Sequence, residues 1–318
     1  MSAPVGAGTD GAGTVDAPAH VAIGVGPALV AAVVSGAFVA LQQRLNGDLG
    51  RALHDPLLAA VLSFAGGLAG LGVLMLRRAP RRALPRLAEL PRWRLLGGLG
   101  GASLVAVGAV AAPEIGVALL TVGLVAGSTL GGLGVDRAGL GPGGVRPVTP
   151  PRLLGAALCL VAIAVSAAGG VRAASPLLLL VVVLAGVMIS LQQALNGVVR
   201  QTTGDVTVAT LVNFVVGTAV LSAALAVQAL VSGVQARHWP GLDEAYLYLG
   251  GPIGAAFVAV AAVVVRPLGV LRLGLAVTAG QLVGAIALDA HRGVATSTLL
   301  AAGLTMVAVV ISGRGTRA

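Results

Sequence analysis

Apolar runs long enough to cross a lipid bilayer follow one another along almost the whole chain, separated by short polar breaks. A span needs about 20 mostly apolar helical residues. Ten runs come close to that length: residues 22–46, 56–76, 95–112, 115–134 and 152–171, then 176–198, 206–231, 246–265, 268–288 and 296–312. The pattern predicts an all-α membrane protein of ten transmembrane helices. Residues 1–20 are rich in Gly, Ala, Thr and Pro and lack the positive stretch that opens a secretory signal, so they read as a flexible tail.

The polar positions inside the runs repeat. Leu41 to Gly47 read LQQRLNG and Leu191 to Gly197 read LQQALNG, a spacing of 150 residues. In the same register Gly36 matches Gly186, Asp55 matches Asp205, Phe64 matches Phe214 and Gly67 matches Gly217. Three extra residues in the second copy then shift the register to 153, where Leu96, Gly97, Gly98 and Gly101 match Leu249, Gly250, Gly251 and Gly254, and Gly127 and Asp136 match Gly280 and Asp289. The chain therefore reads as a tail (1–20), a first five-helix unit (21–173) and a second (174–318). Five is odd, so the second unit enters the membrane upside down. Such inverted repeats are the architecture of alternating access, although duplication also serves static folds.

A chain that is 57% hydrophobic and 10% charged has too much apolar surface for a water-soluble core of this size, and the bilayer is its first partner. The net charge of +9 comes from 20 arginines in the breaks between runs, with no basic stripe interleaved with aromatics, so nucleic acid is not expected. Fifteen of the 20 fall on the side shared by the termini and the loops after spans 2, 4, 6 and 8, seven of them between Arg77 and Arg94. That bias puts both termini in the cytoplasm of a multi-pass plasma-membrane protein. The lone cysteine, Cys159, sits in an apolar run as a buried thiol, and no metal set or cofactor motif is present.

Candidate site residues are the amides within the first span of each unit. Gln42 and Asn46 are four residues apart, as are Gln192 and Asn196, so each pair shares a helix face, with Gln43 and Gln193 beside them. An amide in hydrocarbon must find partners or line a wet cavity. The pairs could line a substrate pathway or serve as interhelical glue. Ser63, Phe64, Asn213 and Phe214 lie one to two turns into spans 2 and 7 and could add to the same cavity; Gln281 is a further amide in span 9, where the first unit has Ser128. Asp55 and Asp205 stand at helix starts and read as N-caps. Asp136 and Asp289 end spans 4 and 9, where a carboxylate sits poorly with the negative end of the helix dipole, so an Arg or a loop amide is expected to hold them; they are also the candidates for coupling protons to transport. The small-residue stripes Gly123, Gly127, Gly131 and Ala276, Gly280, Gly284 permit close backbone approach within the chain or between two chains of a homodimer.

The order LQQ-x-LNG, then SFAGG or NFVVG, then LGG-x-x-GA, then Gly127 to Asp136, then AGQLVGAIALDAHRG resembles the fused two-unit form of the YdcZ-like branch of the drug/metabolite transporter superfamily, also described as a domain of unknown function. The resemblance covers residues 25–312. It implies a ten-helix inverted-repeat fold and a secondary transporter exporting a small metabolite or drug. The rival is a non-transporting membrane scaffold or accessory subunit. An enzyme is not expected, because no nucleophile stands with a base or a metal.

Overall fold

The structure is a computed structural model describing residues 23–167, 175–234, 236, 238–290 and 296–314. The tail (1–20), the end of the fifth predicted span and the side chain of Asp289 lie outside the described residues. Regular structure among the described residues is entirely helical: α1 (Val25–Leu53), α2 (Pro56–Leu74), a short α3 (Arg78–Ala83), α4 (Gly98–Arg137), α5 (Pro150–Ala167), α6 (Pro176–Thr203), α7 (Val206–Val231), α8 (Gly250–Leu268), α9 (Val270–Asp289) and α10 (Thr296–Ser312). Six described segments are long and apolar enough to cross a membrane: Val25–Leu53, Pro56–Leu74, Pro176–Thr203, Val206–Val231, Leu242–Leu268 and Val270–Leu288. The four other predicted spans fall on α4, α5 and α10. The last has 17 residues, about 26 Å of helix against a hydrocarbon core of about 30 Å.

Matching sequence positions start and stop matching helices. The Asp55 carboxylate accepts from the backbone amides of Leu57 and Leu58 at 3.1 and 3.0 Å and opens α2. Asp205 does the same for Thr207 and Val208 at 2.7 and 3.2 Å and opens α7. The preceding helices both end in a left-handed residue, His54 at φ 57° and Gly204 at φ 74°. Gly204 makes that turn without steric cost.

The helical run of α4 is continuous over 40 residues, where the sequence predicts two spans. It cannot be straight. Residues 100 and 131 would stand about 46 Å apart along one axis, yet Gly100 faces Met188 and Gln192 while Gly131 faces Val187 and Ser190. Contacts step down α6 along the first part of α4 (Gly97 on Asn196, Gly100 on Met188) and up it along the last (Gly123 on Val182, Gly127 on Val183, Gly131 on Val187). The first part is thus antiparallel to α6 and the last parallel, so the run folds back between them. The sequence places Pro113 there, which removes a helical hydrogen bond. In the second unit Gly269, at φ 77°, makes the same reversal openly: α8 runs antiparallel to α1 (Gly250 on Asn46, Gly254 on Gln42) and α9 parallel to it (Gly280 on Val33, Gly284 on Ala37).

The contacts between the two halves are reciprocal. Gly36 packs on Gly280, and its counterpart Gly186 packs on Gly127. Gly67 touches the ring of Phe214, and Gly217 touches the ring of Phe64. Asp55 near the start of α2 meets Gln228 near the end of α7, so these matching helices run antiparallel. Each half completes the packing of the other, as across an isologous interface. Outward lie apolar side chains at helical spacing, among them Val30, Val34 and Phe38 on α1 and Leu177, Leu180 and Leu184 on α6, a surface suited to lipid.

Candidate functional site

The two amide pairs occupy equivalent places on separate faces, since α1 and α6 share no packed face. Gln42 and Asn46 look onto Gly254 and Gly250 of α8; Gln192 and Asn196 look onto Gly100, Gly101 and Gly97 at the start of α4. Each cluster therefore lies against the glycine-lined helix of the opposite half, where a Cβ would strike the amide. These glycines were legible only as repeated positions; their role as the floor beneath the amides emerges in three dimensions. Gln193 is buried beside Gln192, whereas its counterpart Gln43 is exposed.

The centre of the arrangement is aromatic. The rings of Phe64 and Phe214 sit 5.0 Å apart and tilted by 32°. Matching residues of the two halves touch one another there. Beside it the two halves differ. In the second, Asn196 Nδ2 donates to Asn213 Oδ1 at 2.9 Å. In the first, the matching Asn46 Oδ1 and Ser63 Oγ are both buried without a hydrogen-bond partner. Serine is too short to close the bond that asparagine makes. Gln192 Oε1 and Gln193 Oε1 are also buried and unpartnered. A buried polar atom left unsatisfied costs roughly 1–3 kcal/mol, so these four oxygens mark where a hydrogen-bond donor would be most welcome. Gln281 is half-buried on α9, and Ser128 Oγ donates to its own helix at Val125 O, 3.1 Å away.

Asp136 has a different setting. Its carboxylate accepts from the backbone amides of Val270 at 2.8 Å and Leu271 at 3.2 Å, so it caps the start of α9 from the other half of the chain. It also pairs with Arg152, both side chains being buried. Arg146 completes the clasp by donating to the carbonyls of Arg266 (2.7 Å), Pro267 (3.2 Å) and Leu268 (3.3 Å) at the end of α8. Burial lowers the Arg146 pKa, the Asp136 charge raises it and Arg152 lowers it; guanidinium stays charged throughout the physiological range. The carboxylate that opposes its own helix dipole thus satisfies the positive end of another. The sequence pointed to an Arg or a loop amide as its holder, but not to Arg152 or the α9 amides.

A family profile described as "Putative inner membrane exporter, YdcZ" matches residues 27–165 and again residues 177–314. The chain belongs to this family. The two matched segments are the two halves whose contacts are reciprocal, and the chain is accordingly a two-unit, multi-pass integral protein of the inner membrane, in a family described as exporters. No curated protein matches the sequence. Among solved structures, one described only as "Crystal structure of protein" aligns with a TM-score of 0.64 at 20% identity, covering 91% of this chain and 96% of that one. At that identity the likeness concerns the fold alone.

Proposed function

We propose that this YdcZ-family protein is a secondary active transporter that exports a small metabolite or drug-like molecule by alternating access between two inverted repeats, residues 21–173 and 174–318, each crossing the membrane five times. The reciprocal packing of the halves, with the matching helices α2 and α7 antiparallel, carries this reading: two units of equivalent packing can exchange conformations at little cost. Substrate contacts are assigned to Gln42, Gln43, Asn46, Ser63 and Phe64 of the first repeat and Gln192, Gln193, Asn196, Asn213, Phe214 and Gln281 of the second. The four unpartnered oxygens among them favour a donor-rich ligand. Of the two coupling candidates, Asp136 is engaged in the clasp, which leaves Asp289 as the carboxylate to test for proton linkage.

One observation favours the scaffold reading: the amide pairs pack against glycine faces on separate helices. Asn46 discriminates between the two. Its Oδ1 has no protein partner, so Asn46→Leu should leave folded yield and thermal stability nearly unchanged, whereas Asn196→Leu strands Asn213 and should cost about 1 kcal/mol. A transporter loses counterflow in proteoliposomes challenged with a metabolite library when Asn46 is replaced. Unstable Asn46→Leu protein, or wild type without counterflow for any member of the library, would favour the scaffold.

The topology has its own test. With both termini cytoplasmic, a cysteine introduced at Arg82 should resist an impermeant maleimide in intact cells and react after lysis; the native Cys159 is buried and adds little background. Labelling in intact cells would reverse the orientation.

A further inference from the structure

Three guanidinium groups from distant parts of the chain meet where α6 and α8 end. A cavity of about 240 Å³ is lined by Arg200, Gln201, Gly204 and Arg266. Arg86, from the segment between α2 and α4, brings its Nη1 to within 3.5 Å of the point where a Gly204 Cβ would stand. Like charges gathered in this way repel, and Arg200 and Arg266 are close enough for each to act on the other. Among the described residues none of the three has an acidic partner, in contrast to Arg152, which is paired with Asp136. Helix C-termini attract cations, but that explains only part of the cluster. The last carbonyls of α8 are already served by Arg146, which leaves the Arg266 guanidinium in surplus.

We propose that this cavity binds a phosphate-bearing anion, held by Arg86, Arg200 and Arg266 with the Gln201 amide as a neutral donor. The guanidinium fork matches phosphate oxygens in pairs. The ends of two apolar helices also stand at the depth of lipid headgroups, where basic pockets between membrane helices take anionic lipid. The phosphate belongs either to a phospholipid headgroup or to a free ion, and this site is separate from the amide clusters.

The test uses the purified full chain in detergent and does not depend on transport. Binding is followed by native mass spectrometry and thermal shift with three probes: phosphatidylglycerol, phosphatidylcholine and inorganic phosphate. Phosphatidylglycerol should bind and stabilise, phosphatidylcholine should do so weakly, and the Arg200→Gln, Arg266→Gln double variant should lose about a hundredfold in phosphatidylglycerol affinity, about tenfold for each charge-assisted contact removed. A control with the same loss of charge, Arg78→Gln with Arg82→Gln, should keep affinity within about twofold. Binding of phosphatidylglycerol without inorganic phosphate identifies a lipid site, and binding of both identifies the phosphate group as sufficient. Equal loss in the two double variants would mean diffuse surface charge and overturn the site, as would failure of phosphatidylglycerol and inorganic phosphate alike. Arg200→Lys keeps the charge and guards against a folding defect: it should retain more affinity than Arg200→Gln at equal stability, and equal losses would also count against the site.

Discussion

Asp136→Ala is expected to destabilise the protein by about 3–5 kcal/mol, the cost of leaving one member of a buried ion pair uncompensated. The carboxylate makes three separate interactions: the pair with buried Arg152 and the two caps on Val270 and Leu271. Asp136→Asn should be milder, because an amide oxygen can still cap α9 while the Arg152 charge is left unpaired. Arg152→Met combined with Asp136→Asn should then recover part of the loss, since removing both charges also removes their desolvation cost. Thermal unfolding in detergent and the monodisperse fraction after purification would measure this series. A double variant no better than Asp136→Asn would show that the caps, not the ion pair, carry the stability. An Asp136→Asn protein of wild-type stability that has lost only its pH dependence would instead return Asp136 to proton coupling.

Gly127→Ala and Gly280→Ala should each destabilise by about 1–3 kcal/mol or more, the range for forcing extra volume into a packed site. At Gly127 an added Cβ would fall within the envelope of the Val183 carbonyl oxygen, and at Gly280 within that of Val33. The obstacle is backbone, so no side chain can swing away; the helices must separate. Gly134 and Gly274 on the same two helices have nothing within 4 Å of an added Cβ. Alanine there should be neutral or stabilising by up to about 1 kcal/mol through helix propensity. Thermal midpoints of the four variants decide the matter: similar losses at all four positions would mean that the backbone contacts are looser than their geometry.

The sequence by itself determined the membrane setting, the helical class and the duplication. Apolar runs of bilayer length have few alternatives once backbone polar groups must be satisfied in lipid. The 150- and 153-residue registers survive because matching positions meet matching constraints: Asp55 and Asp205 are both caps, and Gly36, Gly186, Gly127 and Gly280 all allow backbone contact. Helix starts were legible for the same reason, since a cap is made within three residues of itself.

Tertiary structure decided the partners. Equal periodicity on α1 and α6 cannot say whether their amides face each other or the glycines of α8 and α4, because an amphipathic face carries no address. Nor could one repeat foretell that Asn196 bonds Asn213 while Asn46 and Ser63 remain unpaired, a difference that hangs on one side chain's length. Asp136 taught the same lesson: its position argued for a partner, but the partners lie 16 and 134 residues away in sequence, Arg152 across the loop into α5 and Val270 on the other half, and only the folded packing brings both to the carboxylate. Hydrophobic pattern is set by the solvent that each stretch must face and can be read locally; hydrogen bonds and ion pairs depend on distances of a few ångströms between segments remote in the chain, and only the folded packing sets those.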